Sequence, residues 1–381
     1  MKDLINIQHC RIFVFAFLIT AGLLAISASG SAQGCDPDEI VNAPGVYRGQ
    51  SRGSENGIAK TDLAQQQEIT RKMSQMVRDN YQPKGMNISY GDAHFNPASN
   101  KPNGVNTGNH YNTHFFLKYF FCNHENKMEE VAETHSILEM RVNELDYPHS
   151  FFVKEHIDEE DPETDVFATI KHKPVWNEKG YWTMTDTVYS GRDITHFHYM
   201  VTKNRTLPFV YVTRKEYVEK LRIYYGKLLR RELSSIENSD EKDTEFGKSS
   251  IENYKSFYGN SIQNIDNFLN NESDEALNEP ATVIGGGPSS EFVGFPEGRY
   301  ANWLIKPNPD YYNPKAPKYT PHFIDVHFSI YEPQTACLNA KNDILNIIDF
   351  KALREIVDKG GIPASSAPAS AKPAEDEADK Q

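Results

Sequence analysis

The chain has 381 residues, a net charge of -13 and a pI near 5.5, with 38% hydrophobic and 24% charged residues. That balance is ordinary for a globular protein and excludes a dedicated polyanion binder, because nucleic-acid recognition needs a concentrated basic surface and no basic stripe runs through the sequence. The length accommodates two cores at roughly 100–200 residues per domain.

Lys2 and Arg11 flank or precede an apolar run over residues 12–26, followed by small residues ending Gly30-Ser31-Ala32. This order predicts a secretory signal over 1–32, with an apolar run shorter than the roughly 20 residues of a membrane span. A soluble, exported mature protein follows, periplasmic or extracellular. A rival reading takes Ala32-Gln33-Gly34-Cys35 as a lipoprotein signal, with Cys35 acylated. No second long apolar run occurs, so no transmembrane span is expected in the mature chain. Cys10 lies in the signal, leaving Cys35, Cys122 and Cys337. Export permits a disulfide, and Cys122 with Cys337 is one pairing; buried unpaired thiols are the other reading.

Residues 33–57 lack apolar periodicity and are rich in Gly, Asp, Arg and Ser, which predicts a flexible leader. From 59 to 81, Leu63, Ile69, Met73, Met76, Val77 and Tyr81 recur at helical spacing, and Pro83 stops the pattern. Turn formers at 96–109 mark a loop. "THFFLKYFFC", "VAETHSILEMRVNEL", "DVFATIKHKPVW", "YWTMTDTVYS" and "ITHFHYMVTK" are β-branched and aromatic runs, with "NEKG" at 177–180 a hairpin turn. One helix followed by successive strands predicts an α+β layout, a helix-plus-antiparallel-sheet region over 58–212.

After Thr213 the period changes. Thr213 and Glu216 in "TRKE" fit a capping box, with Val212 and Tyr217 at the staple positions. Tyr217, Leu221, Tyr224, Leu228 and Leu233 form one stripe, and Ile251, Tyr254, Tyr258, Ile262, Ile265 and Leu269 another, predicting a long antiparallel helical hairpin. Strands at "ATVIG", "RYANWLIK" and "HFIDVHFSIY" and a helix over about 338–357 complete a second region, 213–358. The Pro/Ala/Ser-rich residues 359–381 are expected to be disordered. Arg214 and Lys215, in the first helical turn, oppose the helix dipole and are left without a role by capping.

"LPFVYVTRKEYVEKL", "IDNFLNNESDEALNEPATVIG" and "PNPDYYNPKAPKYTPHFIDVHF" occur in the order and spacing of an uncharacterised family of exported Bacteroidota proteins. The chain resembles that family over roughly 115–353, in its "lPf.pvTRkEyL", "L.kPA.V" and "NP.Yf...lPk.aPQfi" segments. His322 stands where the pattern has Gln, and Val218 where it has Leu. The resemblance implies export and a shared architecture, and it implies no catalytic residue.

His196 and His198, two apart on a predicted strand, share a face with Cα atoms about 7 Å apart, so both imidazoles can reach one ion. They are the candidate metal ligands, with no third ligand nearby in sequence; His94, His322 and His327 could join only through the fold. His110 and His114 have a spacing that suits one ion only on a helix. There is no G-x-S-x-G, no phosphate loop in "GGGPSSEFVG", and no calcium-loop alternation in "HIDEEDPETD". Trp176, Trp182 and Tyr199 are candidate ligand-binding aromatics, with a packed core as the competing reading. The resulting expectation is an exported, non-catalytic binding or envelope-associated scaffold protein. Its partner is an envelope protein or glycan, and no cofactor or nucleic acid is implied. An exported hydrolase, metal-assisted through His196 and His198, is the alternative.

Overall fold

The computed structural model describes residues 35–50, 58–94, 110–145, 150–151, 167–189, 193–284, 292–313, 315–331 and 334–362. The predicted signal, the loop at 96–109, the acidic run at 156–165, the glycines at 285–287 and the tail from 363 lie outside these residues.

The fold is α+β. Part of the expected leader is structured. It forms α1 (Pro37–Asn42), where the Asp36 carboxylate accepts from the Asp38 N–H, and β1 (Tyr47–Gly49). Strand β1 pairs in parallel with β2 (Met86–His94). A disulfide between Cys35 and Cys122, Cα–Cα 5.7 Å, ties this segment down. Both anchors are long-range, so the local composition read as loose chain.

Between them, α2 (Lys60–Arg78) buries Ile69, Met73 and Val77, spaced for one helical face, against β2 and β3 (Tyr111–Cys122). The chain continues through β4 (Met128–Glu130), β5 (Ile137–Val142), β6 (Ser150–Phe151), β7 (Phe167–Ile170), β8 (Val175–Trp176), β9 (Trp182–Tyr189) and β10 (Asp193–Thr202). The expected turn joins β8 to β9: the Gly180 N–H donates to the Asn177 carbonyl at 2.8 Å. Gly180 sits at φ +94°, which favours glycine. Next come β11 (Phe209–Tyr211), the hairpin α3 (Arg214–Glu237) and α4 (Glu245–Asn271), the short α5 (Asp274–Leu277), β12 (Thr282–Val283), β13 (Asn302–Pro307) and β14 (Phe323–Tyr331). The expected last helix is two, α6 (Thr335–Ile347) and α7 (Phe350–Asp358), because the Asp349 carboxylate caps the Ala352 N–H and starts a new one.

The strands form two sheets. The larger, nine-stranded, runs β1-β2-β3-β5-β14-β10-β9-β8 with β4 on β3; the smaller, five-stranded, runs β11-β13-β7-β6 with β12 on β13. Alternation along central β14 assigns its two faces. Ile324, Val326, Phe328 and Ile330 join the core under α2, α6 and α7, whereas Phe323 joins Met184 and Met200 against Ala168, Ile170 and Ile305 of the small sheet. The other face of the small sheet, through Phe167 and Leu304, packs with Tyr217, Leu221, Tyr225 and Ile265 of the hairpin. Four layers result: helices, large sheet, small sheet, helical hairpin.

This layering does not follow the expected division at residues 212 and 213. β6 and β7, from the first stretch, belong to the small sheet, and β14, α6 and α7 return to the first core. The pairing of Cys122 with Cys337 is also overturned: Cys122 bonds Cys35, and Cys337 is a buried thiol on α6 inside the helix-side core. Burial pushes that thiol up to about 11, so it stays protonated and inert at neutral pH.

The capping box is half formed. Thr213 Oγ1 accepts from the Glu216 N–H at 3.1 Å, but the Glu216 carboxylate turns to Lys306 on β13. Val212 and Tyr217 are both buried in the hairpin core, as a staple requires. Replacing Thr213 by Ala is expected to lower stability by about 0.5–2 kcal/mol in denaturant unfolding. An unchanged midpoint and slope would show that the cap contributes nothing.

Candidate functional site

Antiparallel register places one continuous row of side chains across the face of the large sheet turned away from α2, α6 and α7. Gly91 pairs with His114, His114 with Glu139, Glu139 with His327, His327 with His198, and His198 with Met184. The adjoining rows carry Asn112, Arg141, Asp325 and Met200 on one side, and Ile137, Ser329 and His196 on the other. The apolar contact between the sheets thus gives way, one residue pair along β10 and β14, to a polar layer. His196 and His198 share a face as expected, and the fold adds His327, Asp325 and Glu139.

Within the layer His198 Nδ1 lies 2.7 Å from Asp325 Oδ2, a distance that assigns the Nδ1–H tautomer donating to the carboxylate. The His327 ring stacks on His198 with centroids 4.5 Å apart, and its Nε2 is 2.9 Å from His196 Nδ1. His327 Nδ1 stands 3.6 Å from Glu139 Oε2, too long for a hydrogen bond, and Glu139 forms an ion pair with Arg141. Asp325 is 0% exposed, His327 1% and His198 2%. All three are buried, whereas His196, which meets His327, is only partly so. Ser329, cross-strand partner of His196, is no nucleophile as placed, because its hydroxyl donates to the His135 carbonyl at 3.1 Å. Among the described residues no three His, Cys, Asp or Glu side chains are arranged to hold a metal ion.

The candidate aromatics do not share one face. Trp176 and Trp182 are a cross-strand pair, rings 5.2 Å apart and edge-on, with the Trp182 indole N–H donating to Thr202 Oγ1. Trp182 pairs with Met200, so Tyr199 points to the opposite face, where it packs against Tyr181 and Phe350 under the helices. The core reading holds for Tyr199.

An open cleft of about 680 Å³ lies instead at the edge of the small sheet. That volume is within the roughly 300–1,000 Å³ of small-molecule sites. Four cationic side chains line it, Lys171, Lys173, Arg214 and Arg299, against two carboxylates, Glu279 and Glu297. They come from the end of β7, the first turn of α3, and the approach to β13. Arg214, left without a role by capping, pairs with Glu279 (Nη1 to Oε2, 2.7 Å) and lies over the Phe295 ring at 5.1 Å. Its Nε is buried with no hydrogen-bond partner among the described residues. Trp303 forms the aromatic wall; the exposed Lys173 ammonium rests 3.9 Å above its ring and 5.4 Å from Tyr211. Such an exposed cation–π contact contributes about 0.5–1 kcal/mol.

No protein-family model, curated protein or solved structure matches the chain. Function therefore rests on the chemistry of the two places just described. Sequence reading missed the cleft, although "IKHK" (170–173) has the same period of two as "HFH" (196–198) and puts Lys171 and Lys173 on one side of an extended segment.

Burial lowers the pKa of His110, His114 and His322; Arg141 adds to the effect at His110 and Lys203 at His322, while Glu139 and Asp92 oppose it at His114. In the unfolded chain each titrates near 6.5. As pH falls through 6.5 the unfolded state takes up protons that the folded state refuses, so stability drops until the folded values are passed. The expected result is a lower urea midpoint at pH 5.5 than at 7.5, flattened when all three are replaced by Asn. A profile unchanged by the triple substitution would assign the loss to other groups.

Proposed function

We propose that the protein is an exported, non-catalytic binding protein of the cell envelope, and that its ligand site is the cationic, aromatic-walled cleft beside Arg214. One observation carries this reading. In a chain with a net charge of -13, side chains from three separated segments converge as four cations around an open cavity, while Asp325, His327 and His198 of the large-sheet cluster are buried. Cations gathered against the net charge of a protein mark an electrostatic site for anions.

Export is supported by the signal-like first 32 residues and by the Cys35–Cys122 disulfide, a bond that persists in oxidising compartments. The same bond uses the sulfur that a lipid anchor on Cys35 would need, which argues for a protein free of that anchor. The resemblance to exported Bacteroidota proteins points the same way.

The test is retention of envelope glycans and peptides on immobilised full-length protein, compared with Arg299→Ala. Retention lost in the variant supports the cleft; retention indifferent to it overturns the assignment. The His198–Asp325 hydrogen bond favours a second reading, an exported hydrolase. Turnover of an ester, glycoside or phosphate substrate that His198→Ala abolishes and Arg299→Ala leaves intact would put that reading first.

A further inference from the structure

We infer that the cleft takes an acidic saccharide, its carboxylate held by Arg214, Lys171 and Arg299 and its ring stacked on Trp303 in the place now taken by Lys173. This rests on the binding reading above and adds the ligand class and a displacement step.

The cations are placed for an anion and not for local stability. Arg214 and Lys215 stand in the first turn of α3, at the positive end of the helix dipole, where cations are unfavourable and an anion is favoured. Two of the first amides of that helix are already used, the Arg214 N–H by the Glu279 carbonyl and the Glu216 N–H by Thr213 Oγ1, so side chains supply most of what a ligand anion meets. Arg214 gives Nη1 to Glu279, and its Nε is buried without a hydrogen bond among the described residues, so the partly exposed outer end of the guanidinium is what faces the cleft. Arg299 is exposed, with its guanidinium over the Tyr300 ring and donating to the Tyr300 hydroxyl, so it must swing from that exposed contact to meet a ligand; the Lys171 ammonium is held at the Arg299 carbonyl.

A bare anion would leave Trp303 unused. The indole is half-buried on the sheet, edge-on to Tyr211, and the exposed Lys173 ammonium lies over its ring. A sugar ring presents an apolar C–H face to such a platform and hydroxyls to the cleft walls, and it can replace a weak solvent-exposed contact at little cost. Each acid residue of a saccharide carries one charge, which suits a small excess of cations over Glu279 and Glu297.

The experiment is calorimetric titration of the full chain with a glucuronate-containing disaccharide, its carboxyl-reduced neutral analogue, inorganic phosphate and a glutamate-rich peptide. The disaccharide is expected to bind saturably and at least tenfold more tightly than its neutral analogue. Arg299→Ala should weaken it at least tenfold with an unchanged melting temperature. Lys173→Ala should tighten it by about two- to fivefold, the equivalent of the exposed cation–π contact that no longer has to be broken. Weaker binding in Lys173→Ala would overturn the displacement step. Phosphate or peptide binding that depends on Arg299, without disaccharide binding, would overturn the ligand class and leave the binding site standing. No binding of any of the four, together with envelope retention indifferent to Arg299→Ala, would overturn both.

Discussion

Breaking the Cys35–Cys122 bond is expected to remove about 2–5 kcal/mol of folding free energy, one of the two largest single effects in the molecule. The bond spans 87 residues of sequence, so it closes a long loop in the unfolded chain and removes much of its freedom there. In the folded state it holds the segment bearing α1 and β1 to the end of β3, and β1 in turn pairs with the sheet edge at β2. Reductant, or Cys35→Ser with Cys122→Ser, should lower the unfolding free energy in guanidinium by that amount. Cys337 supplies the internal control: it is 0% exposed and should react with a thiol reagent only after unfolding. Equal unfolding free energies with and without reductant would sink the prediction, as would alkylation of Cys122 in the folded, unreduced protein.

Strands and helices whose partners lie close in sequence, or whose periodicity is strong, were legible. β3, β5, β9, β10 and β14 follow from alternation and aromatic content, and α2, α3 and α4 from apolar stripes. "DVFATIKHKPVW" was legible as extended but not as divided: its first half becomes β7 of the small sheet and its end β8 of the large one. Strand composition reports burial, not the sheet to be joined, and that choice depends on partners more than 100 residues away, such as β13 for β7. The leader failed for the same reason, since α1 and β1 depend on Cys122 and β2.

The site was legible in halves. A period of two put His196 and His198 on one face, and "HFIDVHF" carries Asp325 and His327 with the same period, but only the register of β10 on β14 brings them together. Register also separated Tyr199 from Trp182: a shift by one residue would have put both on one face. The cleft could not be assembled from sequence, because Lys171, Arg214 and Arg299 meet through a β-strand end, a helix start and a loop with no common pattern. The oddity of "TRKE" was nevertheless visible. Capping explains Thr213, and a cross-layer ion pair explains Glu216; Arg214 takes its meaning from Glu279 and the cavity beyond.

Replacing Asp325 by Ala is expected to cost about 3–5 kcal/mol, measured as the shift in urea unfolding free energy at pH 7. The carboxylate is 0% exposed and accepts from His198 at 2.7 Å; directly across the strand pair stands Arg141. Removing it leaves the buried His198 N–H without its acceptor and the layer with one fewer charge to oppose the guanidinium, and the desolvation cost of both groups is then unrecovered. Asp325→Asn keeps an acceptor oxygen in place and should cost less. The diagnostic variant is His198→Leu with Asp325→Leu. If the layer is a packed polar structure, the double substitution should destabilise far less than the sum of the two single changes, because no buried group is left wanting a partner. Additive losses would show that His198 and Asp325 act independently. Full stability in Asp325→Ala would be more damaging, since it would show that the buried carboxylate contributes nothing to the fold and would favour a chemical role for it.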